Sequence, residues 1–350
     1  MSDPSAPIVS AIVPARNEAL NIARAVRSLA AQLDLREIIV VNDDSEDKTA
    51  AILSGLQSTL PTLRVVSLNA LPAGWLGKPH AVAEGARHAR GDWLLFTDAD
   101  VEHLPGSLRD LLDRAEREGA DLLSVSPGQR TPTWWEKAVI PLVYVQLASL
   151  YRFDEVNDPA SRAAAANGQY ILIRRRAYEG VGGHQAVREE VLEDVALARR
   201  VKDAGGRILF LPGADWIKTR MYHTFREMWR GWTKNLFLLY DGNSWKIAGT
   251  LLVLMAQWIS GPLMLVFAFI PLFNFPWLEV CQSASVGIFL WWLISYVPSL
   301  AKLGYSEALA RYFWLGAPLF ILLLLNSVRA YKFGGAVQWK GRTYSVKGAL

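Results

Sequence analysis

The stretch LLFTDADVEHLPG, residues 94–106, sets an apolar run against two carboxylates, Asp98 and Asp100, with a single alanine between them. A strand written this way has a buried middle and a charged tip. Two carboxylates so close raise each other's pKa unless a cation or a hydrogen-bond network compensates, so a positive partner is expected. Asp also caps helices and closes turns, and taken alone the stretch leaves both readings open.

Working outward, short apolar runs alternate with helical patterns: IVSAIV, then ALNIARAVRSLAAQ with Ile22, Val26 and Leu29 on one face, then EIIVV, TAAILSGL, LRVVSL, HAVAEGARHA and DWLLFT. This alternation predicts βαβ units around a mostly parallel sheet, an α/β fold. Ligands of such sheets bind beyond the carboxyl ends of the strands. The polar residues expected there are PARNE (14–18), NDDSED (42–47) and DADVE (98–102). Further on, SVSPGQRTPT (124–133) reads as a connector, GQYILIR (168–174) as a strand and DVALARRVKDAGG (194–206) as a helix.

The chain has 350 residues, of which 51% are hydrophobic and 14 are Trp, yet charge is spread unevenly. Charged residues are frequent up to about Asp241 and nearly vanish from Ile247 to Val328, which reads as a soluble domain followed by a membrane region. Three apolar segments, Ile247–Phe273, Val280–Leu300 and Leu309–Val328, are each long enough to cross a bilayer about 30 Å thick. Two topologies stay open. Three simple spans put the tail opposite the soluble domain, whereas Arg329, Lys332, Lys340, Arg342 and Lys347 favour the cytosol. A re-entrant hairpin at Gly261-Pro262 would leave two spans and a cytosolic tail. Residues 134–153, WWEKAVIPLVYVQLASLYRF, read as a helix lying in the membrane interface, with a buried core helix as the alternative.

The net charge of +4 is not gathered into a basic stripe with interleaved aromatics, which argues against nucleic acid and for anionic lipid headgroups as partner. One cysteine, Cys281, precludes an internal disulfide or a zinc cluster. The N-terminal MSDPSAPIVSAIVPARNE lacks the basic and apolar regions of a signal peptide, so membrane attachment is expected from later in the chain.

In order, PARNE (14–18), VVNDDSEDKT (40–49), GWLGKPHA (74–81), TDADV (97–101), NGQYILIRR (167–175) and LEDVAL (192–197) resemble a family 2 glycosyltransferase of GT-A fold, in the membrane-bound branch associated with hopanoid and carotenoid lipids. The resemblance covers most of residues 8–241. It implies a GT-A catalytic domain over 1–241, a transmembrane region over 242–328 and a basic tail over 329–350. The expected location is the cell membrane, crossed more than once, with the catalytic domain in the cytoplasm.

The chemistry accounts for the residue types. A nucleotide-sugar loses a diphosphate as its anomeric bond breaks, and the charge growing on that leaving group needs stabilising. Hard divalent cations held by carboxylates do this. By resemblance, Asp100 binds Mg²⁺ or Mn²⁺ and Asp98 contacts the ribose or assists the metal. Asp43 matches the position that reads uracil, which implies a UDP-sugar donor. Pro14, Ala15, Arg16 and Glu18 line the nucleotide pocket; Lys78 lies near the base or the diphosphate, or else is solvated.

An acceptor hydroxyl needs a base within reach. Asp194, with Glu193 beside it, matches the family's base motif and implies inversion at the anomeric carbon. Acidic residues also suit the first turn of any helix. Two positions depart from the family pattern: Asn42 replaces an Asp, and Asp44 replaces the Gly before Ser45. The segment MYHTFREMWRGWTKNLF (221–237) lacks the Gln-x-x-Arg-Trp of polymer-making relatives and resembles the Gly-Trp-x-Lys-Asn variant of lipid-modifying ones. Gln169, Arg230, Trp232 and Lys234 are the acceptor-side candidates, and His223 is a candidate extra metal ligand. WKGRTY (339–344) recurs in the lipid-modifying branch.

The leading expectation is sugar transfer to a membrane lipid hydroxyl, with a processive polysaccharide synthase or a polyprenyl-phosphate transferase as alternatives. A nucleotidyltransferase would want a Gly-rich phosphate loop after the first strand, and PARNEALN is not one. Asn42 is the only hint of a non-catalytic scaffold.

Overall fold

The computed structural model describes residues 8–268, 276–334, 336–339 and 342–345. The chain divides into two compact units, one made of residues up to Arg130 with Tyr151–Met221, the other of Thr131–Leu150 with the residues from Tyr222 onward.

In the first unit the elements run β1 (Val9–Ala15), α1 (Ile22–Ala30), β2 (Leu35–Asp43), α2 (Thr49–Gln57), β3 (Leu63–Leu68), α3 (Gly77–His88), β4 (Trp93–Phe96), β5 (Val101–His103), α4 (Ser107–Arg117) and β6 (Leu122–Gln129). After α5 (Trp134–Leu150), which belongs to the other unit, come α6 (Phe153–Asn157), β7 (Ile171–Arg174), α7 (Arg175–Gly180), α8 (Glu193–Asp203) and β8 (Ile208–Thr219).

These strands form one 8-stranded sheet in the order β3-β2-β1-β4-β7-β6-β8-β5. β3, β2, β1 and β4 are parallel, β6 and β8 are parallel, and β7 runs antiparallel between the two groups. The strands are apolar on both sides because both faces are covered. Val9, Ala11 and Val13 of β1 pack with Val26 and Leu29 of α1, while Ile12 packs on the opposite face with Val82 and Ala86 of α3. Gly85 lets α3 approach that closely; a side chain there would collide with Ile12. The sequence order reverses where β1 meets β4, which puts a crevice at the carboxyl ends of those two strands.

The connector expected at 124–133 is, over its first part, the strand β6. Pro127 and Gly128 read as breakers but sit at a register irregularity in the β6–β8 pairing, where strands tolerate Pro. A Cβ at Gly128 would lie 3.0 Å from the Ala214 backbone.

The second unit contains α5, α9 (Phe225–Leu239), α10 (Ser244–Ala268), α11 (Pro276–Lys302), α12 (Phe313–Arg329) and a hairpin of β9 (Ala336–Trp339) and β10 (Arg342–Ser345). Among the described residues three helical stretches are long and apolar enough to cross a membrane: Ser244–Phe267, Trp277–Lys302 and Glu307–Gly334. Residues 131–150 and 222–241 group with these helices, so the two units interleave along the chain. α5 is buried all round from Trp135 to Tyr144 apart from Lys137, packed on α12 so closely that a side chain at Gly316 would collide with the Ala138 carbonyl. Over those residues it is packed inside the second unit.

Candidate active site

Five segments of the first unit converge at the carboxyl end of the sheet: the ends of β1 and β4, the first turns of α3 and α8, and the turn before β7. The cleft between them is lined by Pro14, Lys78, Asp98, Gly168, Glu193 and Asp194, with Phe96 and His184 behind. At the tip of β4, Asp98 is paired with Lys78, which is therefore not simply solvated. Its Nζ lies 2.9 Å from Asp98 Oδ1 and 2.9 Å from Glu193 Oε1. A lysine in the first turn of a helix opposes the helix dipole; here the carboxylates hold it. Burial by itself would lower the pKa of this ammonium, and the charges of Asp98, Glu193 and Asp194 outweigh it, keeping Lys78 protonated well above the usual lysine range.

Asp194 is fixed by two backbone amides. Gly168 N donates to Oδ2 at 2.8 Å and Val195 N to Oδ1 at 2.8 Å. Burial and the adjacent Glu193 charge push its pKa up to about 6, against the opposing pull of Lys78 and the two N–H groups. It is thus a carboxylate poised to take a proton near neutral pH.

The glycine at 168 makes this arrangement possible. A Cβ there would stand 2.7 Å from Lys78 Nζ and 3.2 Å from Asp194 Oδ2. Gly168→Ala is expected to displace the ammonium and lower kcat by roughly 10²-fold, the scale of a misplacement of about 1 Å. Comparing turnover and melting temperature of the variant and the parent checks this, because a purely structural defect would lower both.

PARNE and NDDSED are laced together by hydrogen bonds. Arg16 Nη1 donates to the carbonyls of Asp43 at 2.7 Å and Asp44 at 2.8 Å, and its guanidinium pairs with Glu46 at 3.3 Å. Asn17 Oδ1 accepts from Glu46 N at 2.9 Å, and Glu18 N donates to Thr49 Oγ1 at 2.8 Å. Arg16 therefore brackets the second loop, while Pro14 reaches the cleft. Asp44 has φ +53°, the left-handed region that Gly enters freely and Asp tolerates. The backbone thus keeps a glycine-like conformation where the family pattern has Gly. Asp43 and Asn42 are buried at the end of β2, and Ala15 at the end of β1.

Sequence reasoning missed Thr97, Gly168 and His184. Thr97 Oγ1 donates to the Gln169 carbonyl at 2.8 Å, tying β4 to the turn before β7, and the Gln169 side chain is buried. His184 Nδ1 lies 3.0 Å from the Tyr178 hydroxyl and its ring meets Phe96 edge-on. Burial and nearby Lys78 push its pKa down to about 3, so it is neutral. GGHQ (182–185) carries no periodic or motif signal that could have flagged it.

The other acceptor-side candidates, Arg230, Trp232 and Lys234, lie on α9 in the second unit. Arg230 is exposed, Trp232 is buried against Tyr144 and Tyr222, and the Lys234 carbonyl accepts from the Tyr331 hydroxyl at 2.7 Å. His223 is in that unit as well.

Among the described residues no group of three or more His, Cys, Asp or Glu side chains could by itself hold a metal ion. Asp98 and Asp100 nevertheless suit a hard cation. Mg²⁺ is usually held by one or two carboxylates together with water and substrate phosphates, not by an all-protein cage.

A family model described as "Glycosyl transferase family 2" matches residues 10–182, spanning β1 to the turn before His184. The chain carries a glycosyl transferase family 2 domain. The enzyme is a glycosyltransferase, and its cleft lies mostly within the matched span, with Glu193 and Asp194 just beyond it. It is similar to proteins named 4,4'-diaponeurosporenoate glycosyltransferase from Staphylococcus aureus. The strain USA300 protein is 26% identical over 339 residues, 96% of this chain and 88% of the relative, and the strain MRSA252 protein is 25% identical over the same shares. Among solved structures, the mannosyltransferase PcManGT from Pyrobaculum calidifontis, in complex with GDP-Man and Mn²⁺, superposes with a TM-score of 0.54 at 18% identity, covering 93% of this chain and 86% of that one. The GT-A fold of the glycosyltransferase is thereby shown.

Proposed function

We propose that this glycosyltransferase moves a sugar from a UDP-sugar to a carotenoid-type membrane lipid, with Asp194 as general base and inversion at the anomeric carbon. The observation that carries the reading is the Asp194 carboxylate, gripped by Gly168 and Val195 and raised toward neutrality beside the Lys78–Asp98 pair. Asp100 and Asp98 would hold Mg²⁺ or Mn²⁺, which neutralises charge on the departing diphosphate. Asp43 reads the uracil, with Pro14, Ala15, Arg16 and Glu18 shaping that end of the pocket. In the reaction Asp194 takes the proton of the acceptor hydroxyl while its oxygen bonds to the anomeric carbon, and the bond to the diphosphate oxygen breaks with its electron pair. Lys78 supplies positive charge on the leaving side. The reaction takes place at the cytoplasmic face of the cell membrane, with Gln169 as the acceptor-side residue of the first unit; Arg230, Trp232 and Lys234 of α9 are acceptor-side candidates of the second unit, taken by itself.

The relatives' name favours a second form of the acceptor. Diaponeurosporenoate is the anion of a carboxylic acid. A carboxylate is already deprotonated at neutral pH, so its transfer would give a glycosyl ester without general-base help.

The test is transfer of labelled sugar into lipid from UDP-glucose, UDP-galactose, UDP-GlcNAc or GDP-mannose, with acceptors bearing either a hydroxyl or a carboxyl group. Turnover with GDP-mannose alone overturns the UDP assignment, and label in a water-soluble polymer overturns the lipid acceptor. For a hydroxyl acceptor, kcat/KM should be full above pH 7 and fall about tenfold per unit below about pH 6, because protonated Asp194 cannot accept. For a carboxylate acceptor that limb would be absent near pH 6.

A further inference from the structure

The directions of the helices in the second unit bear on the path of the chain through a membrane. Three successive crossings require the first and third helices to run in the same direction. α10 and α12 run in opposite directions. The start of α12 packs on the middle of α10: Trp258 Nε1 donates to the Trp314 carbonyl at 3.0 Å, and a Cβ at Gly261 would lie 2.7 Å from the Trp314 ring. The far end of α12 reaches the beginning of α10, where Lys332 Nζ donates to Ser244 Oγ at 2.7 Å.

That end is also knit into α9, the helix that leads into α10. Ser327 Oγ donates to the Thr233 carbonyl at 2.7 Å and accepts from Phe237 N at 2.9 Å. Asn326 Nδ2 donates to Thr233 Oγ1 at 2.9 Å, and the Tyr331 ring stacks on Phe237 at 5.3 Å. Beyond it, β9 lies against α9. α9 carries Arg226, Glu227, Arg230 and Lys234, a composition for water or headgroups and not for the hydrocarbon.

We infer that the chain enters and leaves the bilayer at the same face, crossing it an even number of times, so that α12 is not a third crossing. The proposal rests on the membrane reading of the apolar helices, whose outer surfaces present Leu252, Leu265, Val280 and Ile294 to the surroundings. It puts Lys246, Arg329 and Lys332 together at one membrane face, beside the exposed rings of Trp245 and Phe333. This is the usual make-up of an interface belt against anionic headgroups on the cytoplasmic side. It keeps the cytosolic tail of the second topology but not its re-entrant hairpin, because α10 runs unbroken through Gly261 and Pro262.

The experiment is sided labelling of single cysteines in a Cys281→Ser background, one at Trp245→Cys and one at Phe333→Cys, with a membrane-impermeant maleimide. Right-side-out and inside-out vesicles of the full chain are compared. The expected result is that both positions label in inside-out vesicles and neither does in right-side-out ones. Labelling of the two from opposite faces overturns the proposal, as does protection of both positions in inside-out and right-side-out vesicles alike. As a check that needs no substitution, a C-terminal fluorescent-protein fusion of the parent chain should fluoresce and an alkaline phosphatase fusion should be inactive; the reverse pattern counts against the proposal. Release of the protein by alkaline carbonate would overturn the membrane reading itself.

Discussion

Asp194→Asn is expected to lower kcat for a hydroxyl acceptor by roughly 10²- to 10⁴-fold, the range spanned by general-base catalysis. The amide keeps the shape of the carboxylate, so α8 and the Gly168 turn should hold their places. It cannot accept the acceptor's proton, and one of its two ends can no longer accept from the amides of Gly168 and Val195. Donor binding should change little, because the contacts assigned to the nucleotide lie at Asp43 and the PARNE turn. The measurement is steady-state transfer with donor KM determined in parallel. A loss of less than about tenfold with a carboxylate acceptor, beside a large loss with a hydroxyl one, would identify the acceptor chemistry. A small loss with both would remove Asp194 from the mechanism.

Removal of divalent metal should be nearly as damaging. Charge neutralisation of a leaving diphosphate is worth several kcal/mol, so chelation is expected to reduce turnover by at least about 10²-fold, with recovery on adding Mn²⁺ or Mg²⁺. Asp100→Asn should reproduce the loss and resist rescue. Because the protein supplies few ligands of its own, Mn²⁺ should bind weakly alone and tightly with UDP, which titration by electron paramagnetic resonance would read without any turnover. Equal Mn²⁺ affinity with and without UDP would contradict the two-carboxylate assignment. Lys78, already paired with Asp98, offsets part of the negative charge at the tip of β4.

Much of the fold was legible because it is written locally. α1 buries Ile22, Ala25, Val26 and Leu29, the one-face pattern expected of ALNIARAVRSLAAQ, and each apolar run up to DWLLFT became a strand of the parallel group. β5, β6 and β8 were harder to read. β5 is 3 residues long, and β6 and β8 pass through Pro127-Gly128 and Pro212-Gly213, which resemble turns until a partner strand supplies the hydrogen bonds. The strand-end acids were likewise visible as strand ends, whereas Thr97 and Gly168 lie within TDADV and NGQYILIRR without being singled out there, and His184 carries no local signal. Their importance comes from what stands opposite them.

By itself, the sequence determined that a βαβ sheet would carry acids at its strand ends and be followed by helices apolar enough for a membrane, because periodicity and composition act over a few residues. Tertiary structure alone decided that Lys78 joins Asp98 to the start of α8, that Gly168 leaves space for that ammonium, and that α12 turns back to the beginning of α10. Each of these joins residues distant in the chain, and hydropathy records how apolar a helix is without recording which way it runs.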